Sequence, residues 1–277
     1  MSGKKTHYAI GPILRERGLA TSVSMLIIFF SLTLVSTVTY YYSVSRVDAR
    51  KQDLKLIAAE ERMLDLEAAV SSTAWSPGSA RVLAFSDYGG EMSVEPEENR
   101  LKINITMEAS SYIVFNSSTG LVLYQLPFAT ERHVGRWLLG DDRAIVNRSS
   151  AYQAQVRVER GYERQELRMG YRPLVSSSLG GLASGRRVNN IRIYVINLNG
   201  SQALSSEGEF HLKVQCSGVS TGLNAYNLSA SVTSANIRAT LGGSEEAVEV
   251  PLTSGPSGST VRVEVLVCHI VVRRVRV

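Results

Sequence analysis

The sequence predicts an α+β protein in which a long N-terminal membrane-spanning helix is followed by an antiparallel β-sandwich-like body. Residues 23–42 contain no charged residue, proline or glycine, so they can cross a membrane as a helix. Good helix formers then continue without proline or glycine through residue 70. Beyond Pro77, apolar and polar residues alternate over residues 101–107, the pattern of a strand with one buried face. We therefore expect a basic leader at 1–18, a transmembrane and amphipathic stem helix at 19–75, and a β-rich domain at 79–277.

The apolar run is too long for a signal peptide that is discarded after export. The run has about 20 residues, which as a helix span roughly 30 Å, the thickness of a bilayer core. The apolar part of a secretory signal has only roughly 7–15 residues. The run also ends in tyrosines at 40, 41 and 42, which are typical of a membrane–water interface. These features favour a single-pass membrane segment over a cleaved signal or a buried core helix.

The orientation of this segment follows from what lies on each side of it. Lysine and arginine are nearly balanced between the two flanks, so the positive-inside rule does not decide the orientation by itself. About 230 residues follow the segment and only about 20 precede it, with no second apolar stretch of spanning length. We therefore expect the N-terminus inside the cell and the large C-terminal part outside, at the cell surface.

Acceptor triplets for N-glycosylation support an extracytoplasmic location. Five asparagines stand in the Asn-X-Ser/Thr pattern: Asn104, Asn116, Asn147, Asn199 and Asn227. Asparagine next to serine is also common turn chemistry, so each single triplet can equally be a turn. Taken together, the five favour a glycoprotein surface.

The amphipathic part of the stem carries two apolar stripes at helical spacing. One stripe comprises Val47, Leu54, Ile57, Leu64 and Ala68, and the other comprises Leu56, Met63 and Val70. Two stripes indicate that the helix has more than one face to bury. We expect the β-body to cover the first stripe and a parallel stem of a second copy to pack on Leu56, Met63 and Val70.

The N-terminal region resembles that of type IV pilin-like proteins, in particular the archaeal branch of pilins and archaellins. The resemblance rests on a short basic leader that ends in Arg17 and Gly18, the apolar segment, and the unbroken amphipathic helix after it. It implies that a prepilin peptidase-like protease cleaves after Gly18 and leaves Leu19 as the mature N-terminus. It also implies that pilus assembly machinery packs the apolar helices into a filament core. Many bacterial pilins have Glu at the fifth mature position, where this chain has Val23, and this difference favours the archaeal branch.

The β-rich domain is predicted from many short strand patterns separated by turn clusters. The candidate strands are 101–107, 111–115, 121–126, 153–159, 191–197, 210–215, 229–237, 247–252 and 261–272. Turn clusters occur at 87–90, 116–120, 242–244 and 254–258, and the loop-like stretch 176–187 marks a candidate sub-boundary. Residues 266–272 are apolar at every position but one, which favours a central strand. We expect residues 79–277 to be soluble without the stem.

The chain has two cysteines, Cys216 and Cys268. Outside the cell they could form one disulfide, which the chain-entropy model values at roughly 4 kcal/mol for a loop of this size. Two buried free thiols are the alternative, and the sequence leaves this choice open.

No catalytic, cofactor or metal motif stands out. His7, His133, His211 and His269 are isolated along the chain, and Asp141-Asp142 lacks the calcium-loop pattern and is interpreted as a turn. The net charge of +5 comes from scattered basic residues with few aromatics between them, so no nucleic-acid partner is expected. We expect no enzyme and no cofactor.

Three classes of function remain open from the sequence. The first is a structural subunit, major or minor, of an extracellular type IV pilus-like filament, a homo-oligomer held by parallel stem helices. The second is a membrane-anchored extracytoplasmic β-domain for adhesion or ligand binding that does not polymerise. The third is an extracytoplasmic enzyme, which would need clustered polar residues that the sequence does not reveal.

Overall fold

The computed structural model describes residues 13–127, 134–147, 152–162 and 164–276, with side chains from residue 21 onward. The chain divides into two compact units, Met1–Gln52 and Asp53–Val277, and each is considered by itself. Most of the expected leader, 1–18, lies outside the described residues. The side chains of Arg17 and Leu19 at the expected cleavage site do so too.

One helix, α1, occupies Ile13–Thr73 and confirms the predicted long N-terminal helix. It ends close to the expected breaker sequence, because Trp75 adopts a left-handed φ of 66° and Pro77 follows two residues later. The Ser79 hydroxyl donates a 2.9 Å hydrogen bond to the Thr73 carbonyl, which satisfies one of the carbonyls at the helix end.

Fourteen strands follow α1 in the described residues. They are β1 (Ala80–Phe85), β2 (Glu91–Met107), β3 (Ser110–Pro127), β4 (Trp137–Leu139), β5 (Val146–Asn147), β6 (Ala154–Arg160), β7 (Arg164–Tyr171), β8 (Leu174–Ala183), β9 (Arg186–Asn197), β10 (Leu204–Glu207), β11 (Phe210–Leu228), β12 (Ser234–Leu241), β13 (Ser244–Pro251) and β14 (Ser259–Val275). The strand-rich body that the alternating pattern predicts is therefore present.

The strands form two sheets. A six-stranded sheet has the order β1-β11-β14-β9-β8-β5, and an eight-stranded sheet has the order β13-β12-β2-β3-β7-β6-β4, with β10 paired to β2. Neighbouring strands are antiparallel except for two parallel pairs, β9 with β14 and β5 with β8. Strand β14 lies between β11 and β9. The central position expected for residues 266–272 is confirmed for residues 266–269, which pair on both sides, whereas residues 270–272 pair only with β11 among the described strands.

Two stretches whose composition predicts turns or loops form strands in the structure. Residues 116–120 lie inside β3, which stays paired with β2 through two register shifts. Residues 176–187 form the hairpin of β8 and β9, whose turn lies at Ser184 and Gly185. In both places serine and glycine suggest a loop, but backbone pairing with a neighbouring strand decides the structure.

The body has two hydrophobic cores, and both contain strands of both sheets. The first core includes the start of β2, β6, β7, the start of β11, the end of β14 and α1, and the second includes the end of β2, β12, β9 and the middle of β14. In β14, Val263, Val265 and Val267 belong to the second core, whereas Cys268 and Ile270 belong to the first. Because successive side chains of a strand point to opposite faces, the two cores lie on opposite faces of β14.

The C-terminal part of α1 belongs to the first core. Leu56, Met63, Leu66 and Val70 are at most 1% exposed, and the compact unit begins at Asp53. A domain boundary at residue 79, as expected from the sequence, would therefore divide the first core, because residues 56–70 of α1 pack there together with the strands. These contacts also revise the expectation that residues 79–277 are soluble alone, because deleting the helix would expose the apolar strand surface that it covers.

We expect a fragment of residues 53–277 to unfold cooperatively and one of residues 79–277 to aggregate or to lose its sharp melting transition. The reason is that the shorter fragment lacks four large buried side chains, each of which typically contributes about 2–5 kcal/mol on truncation to Ala. Circular dichroism melting and size-exclusion chromatography of the two fragments check this. Equal melting temperatures for the two would show that the helix is dispensable for the body.

Candidate functional site

The first part of α1 presents an apolar surface that nothing in the described structure covers. Its large apolar side chains from residue 23 to residue 47 are between 41% and 77% exposed. The segment is long and apolar enough to span a membrane, and α1 is the one helix of the described residues with that property. Exposure of so many apolar side chains to water is unfavourable, so this surface requires lipid or another apolar partner.

Three hydroxyl groups within this surface are already satisfied by the helix itself. Thr33 donates to the Phe29 carbonyl, Thr37 to the Thr33 carbonyl and Ser43 to the Thr39 carbonyl, each at 2.8 Å. A hydroxyl bonded to a carbonyl one turn earlier does not need water, which makes it compatible with an apolar environment. These three side chains are therefore consistent with burial in lipid or in a bundle of helices.

The second apolar stripe of the stem is used differently from the expectation, and the first stripe is covered as expected only at Leu64, which packs against the first core. Leu56, Met63 and Val70 pack in the first core, so they are not available to a neighbouring stem. Leu54 and Ile57 of the other stripe are 66% and 50% exposed. The physical reason is that 56, 59, 63, 66 and 70 form a wide stripe at spacings of three and four, which the broad strand surface covers better than a single neighbouring helix would.

A charged group accompanies this buried stripe. Glu60 is 7% exposed and forms an ion pair with Arg136, which comes from the segment just before β4. A nearly buried carboxylate without a cation would be costly, so Arg136 compensates for its desolvation. The pair fixes the rotation of α1 on the strands more specifically than apolar contacts alone.

The five glycosylation candidates lie on several strands. Asn104 is in β2, Asn116 in β3, Asn147 in β5 and Asn227 in β11, and Asn199 follows β9. Asn116, Asn147 and Asn227 are exposed, whereas Asn104 and Asn199 are half-buried. Four of the five triplets therefore start in strands rather than in turns. The two residues that complete the Asn147 triplet lie outside the described part of the chain.

The two cysteines lie side by side on β11 and β14. The sulfur atoms of Cys216 and Cys268 are 3.6 Å apart, both side chains are buried, and the structure has them as free thiols. The backbone N–H of Trp75, just after α1, donates to the Cys268 sulfur at 3.4 Å. Burial raises the pKa of the Cys268 thiol to about 12, so it is protonated and unreactive at neutral pH.

A buried arginine is the least expected polar group of the body. The side chain of Arg172 is 0% exposed, and its guanidinium donates to a carboxylate oxygen of Asp141 and to the carbonyls of Tyr152 and Arg143. Asp141 also accepts hydrogen bonds from Arg143, and these together with Arg172 hold the pKa of its carboxyl well below the usual range. Asp141, which the sequence analysis interprets as part of a turn, thus forms an ion pair. Its partner, Arg172, lies thirty-one residues away, and nothing in the sequence predicts that the two meet.

The described residues contain few groups arranged for catalysis. Ser220 Oγ and His269 Nε2 lie 3.0 Å apart on the neighbouring strands β11 and β14, but no carboxylate among the described residues contacts the His269 ring. A hydroxyl–imidazole pair without an orienting third group and without a cleft lacks the geometry of an acyl-transfer site. No cluster of histidine, cysteine and acidic residues in the described part of the chain could hold a metal ion. His211 lies in β11, while His7 and His133 lie outside the described residues.

Comparison with known proteins identifies no relative. No protein-family model, no curated protein and no solved structure matches the chain. The function therefore has to be inferred from the chemistry and geometry of the molecule. The feature that stands out in that geometry is the apolar surface of α1.

We expect Asp141→Asn to lower the free energy of unfolding by about 2–4 kcal/mol at pH 7. The cost of breaking a buried ion pair is about 3–5 kcal/mol, reduced here because Asp141 itself is one-third exposed. Since the pKa of Asp141 is lowered by folding, its contribution is present above its unfolded pKa near 4 and is lost as the pH falls below it. Urea unfolding at pH 7 and pH 3 measures both effects. The neighbouring exposed Asp142→Asn is the control and should change stability by less than about 0.5 kcal/mol.

We expect both thiols to resist a maleimide reagent in the folded protein at pH 7.5 and to react after unfolding in urea. Burial of both side chains prevents attack in the native state. Mass spectrometry reports two added maleimide groups on the unfolded chain. Rapid labelling in the native state would contradict the burial. An unfolded chain that takes up no reagent until it is reduced would instead establish the disulfide.

Proposed function

We propose that the chain is a structural subunit of an extracellular type IV pilus-like filament, assembled through its apolar N-terminal helix. The single observation that supports this most is that α1 is one helix with two uses. Its residues 56–70 contribute to the core of the strand-rich body, whereas the large apolar side chains of residues 23–47 are exposed. Such a helix would join a folded body to an apolar segment that needs lipid or other helices around it.

The proposed assembly starts in the membrane. The segment first spans the bilayer with its N-terminus inside, and a prepilin peptidase-like protease removes the leader after Gly18. This removal matters because Lys4 and Lys5 could not enter a dry core of packed helices without a large desolvation cost. Assembly machinery then moves the mature chain, beginning at Leu19, from lipid into contact with copies of itself. Burial of each large apolar side chain, in lipid or between packed helices, stabilises the protein by about 1.5–3 kcal/mol relative to exposure to water.

The exposed Leu54 and Ile57 extend the apolar surface of α1 into the compact unit that carries the strands. A plain membrane anchor has no use for exposed leucine and isoleucine at these positions. Parallel stems of neighbouring copies would cover them, which replaces the earlier assignment of this role to Leu56, Met63 and Val70. The body then forms a glycoprotein surface, and the exposed Asn116 and Asn147 are its best placed acceptors.

The alternative is a membrane-anchored β-domain for adhesion or ligand binding that does not polymerise. The observation that favours it is that the same apolar segment suffices for anchoring without any processing. The two functions differ in the fate of the leader and in the self-association of the stem. Both differences can be measured directly.

We expect the protein from its native membrane to have lost residues 1–18. Cleavage would remove the basic leader and give Leu19 as the N-terminal residue, and intact-mass analysis with N-terminal sequencing checks this. Gly18→Val, which places a branched side chain at the cleavage site, should keep the leader. A wild-type chain that still begins at Met1 would support the anchored β-domain instead.

We expect Leu54→Asp together with Ile57→Asp to reduce the yield of filaments or detergent-stable oligomers at least tenfold. Two carboxylates would be buried between neighbouring stems, at a cost of several kcal/mol each. Because both side chains are at least half exposed in the single chain, its stability should change by less than about 1 kcal/mol. Gln52→Asp together with Ser71→Asp adds the same charge at exposed polar positions of α1 and is the matched control. Electron microscopy and sedimentation velocity provide the two readouts.

A further inference from the structure

The strand edges of the body are protected very unequally. A sheet edge exposes unpaired N–H and C=O groups that can pair with a strand of another molecule, and proteins usually block this with charges, prolines or very short edge strands. At the two ends of the eight-stranded sheet, β13 carries Glu245, Glu246, Glu249 and a terminal Pro251, and β4 has three residues. Both edges of this sheet therefore carry the usual protection.

The six-stranded sheet lacks this protection along most of β11. Strand β1 pairs with β11 only at residues 210–215, with one further backbone bridge at Cys216. From residue 217 to residue 227, β11 is paired with β14 on one side, and no described strand pairs with its other side. We call residues 217–227 the open edge. Six consecutive residues within it, 220–225, are exposed, so nothing covers either face there.

The composition of the open edge is unusual for a free edge. No charged residue and no proline occurs between Lys213 and Arg238, and Leu223 is 67% exposed within the open edge. An uncharged, extended strand with an exposed leucine is a template for strand addition. The contrast with β13 shows that this body blocks one long edge with three glutamates and leaves the other bare.

The opposite side of the same sheet has a second bare edge. Among the described residues, β5 pairs with β8 only at Leu174 and Val175. The rest of β8 carries no charge, since none occurs between Arg172 and Arg186, and its Leu179 and Leu182 are 57% and 65% exposed. The two bare edges thus match each other in lacking charge and in presenting exposed leucines.

We propose that the open edge of β11 pairs with the β8 edge of a second copy, so that the six-stranded sheet continues from one subunit to the next. Both edges are uncharged, so the pairing meets no electrostatic penalty, and the contact buries Leu223 and the exposed leucines of β8. This interaction is separate from the packing of the stems, but it rests on the proposed function in one respect, namely that the chain forms homo-oligomers.

The strand directions agree with this pairing. Strands β9 and β14 are parallel, β8 is antiparallel to β9, and β11 is antiparallel to β14, so β8 and β11 run in the same direction. Two copies that face the same way therefore pair β11 with β8 in parallel. The same arrangement keeps residues 53–73 of their α1 helices parallel. Because the contact joins two different surfaces, it leaves a free edge at each end and propagates instead of closing into a dimer.

The first experiment adds charge to the open edge of the full-length chain. Thr221→Lys together with Leu223→Lys places two ammonium groups on exposed positions, and Ser244→Lys together with Ala247→Lys on the already charged β13 edge is the matched control. We expect the edge variant to lose at least tenfold in filament or oligomer yield and the control to behave as the wild type. Both variants should melt as the wild type does, since the substituted side chains are exposed.

The second experiment identifies the partner edge. Leu223→Cys and Leu179→Cys variants are prepared separately, mixed before assembly, and treated with a short bifunctional maleimide, which the buried native thiols do not reach. A cross-linked dimer that requires the mixture supports the β11–β8 contact. A dimer that forms with the Leu223→Cys variant alone would show that β11 pairs with itself and would overturn the proposal.

The two proposals fail in distinguishable ways. Oligomers that tolerate the lysines of the edge variant but disappear with Leu54→Asp and Ile57→Asp would overturn the edge contact and leave the stem assembly intact. Oligomers that tolerate the stem substitutions but not the lysines would overturn assembly through the stem and support the edge contact.

Discussion

The helix α1 has to satisfy two kinds of apolar contact with one continuous backbone. Its residues 56–70 contribute to the first core, where the strand body supplies the partner surface, while the large apolar side chains of residues 23–47 are 41–77% exposed. Exposed apolar side chains require lipid or another apolar partner, whereas those in the first core already have one. The division of α1 into a segment packed in the core and a segment with an exposed apolar surface is therefore the constraint on which the proposed function depends.

The cores explain how the strand body supports such a helix. Strands β9 and β14 take part in the first core with one face and in the second core with the other, and β14 is paired along both of its sides. The Glu60–Arg136 ion pair and the hydrogen bond from Trp75 to Cys268 add specific polar contacts where α1 and its C-terminal end meet the strands. These contacts distinguish one orientation of the helix from others of similar apolar area.

Local patterns in the sequence predict the helix, its end near Trp75 and the central position of β14, because each depends on residues that are neighbours in the chain. The same patterns fail where pairing between distant segments decides. Residues 176–187 have the composition of a loop, yet they form a hairpin because β9 is held by β14 from the far end of the chain. The spacing correctly locates the two apolar stripes of α1, but the packing partners expected for them are wrong. Spacing shows that two faces are apolar without showing which one the strands cover. The Asp141–Arg172 pair has no sequence signal, because its two members meet only in the folded sheet.

Because β14 contributes side chains to both cores, it also determines when the body can fold. Val263, Val265 and Val267 complete the second core, and Cys268, Ile270 and Val272 complete the first, so neither core closes before this late segment is available. Its parallel partner β9 lies more than sixty residues earlier, which makes the contact slow to form. Most strands can pair with a neighbour before β14 is available, as in the β2–β3, β6–β7, β8–β9 and β12–β13 pairs, but neither core is complete at that stage. The bare edges of β8 and β11 would be exposed for that whole interval, which makes partly folded copies of the chain prone to associate through them.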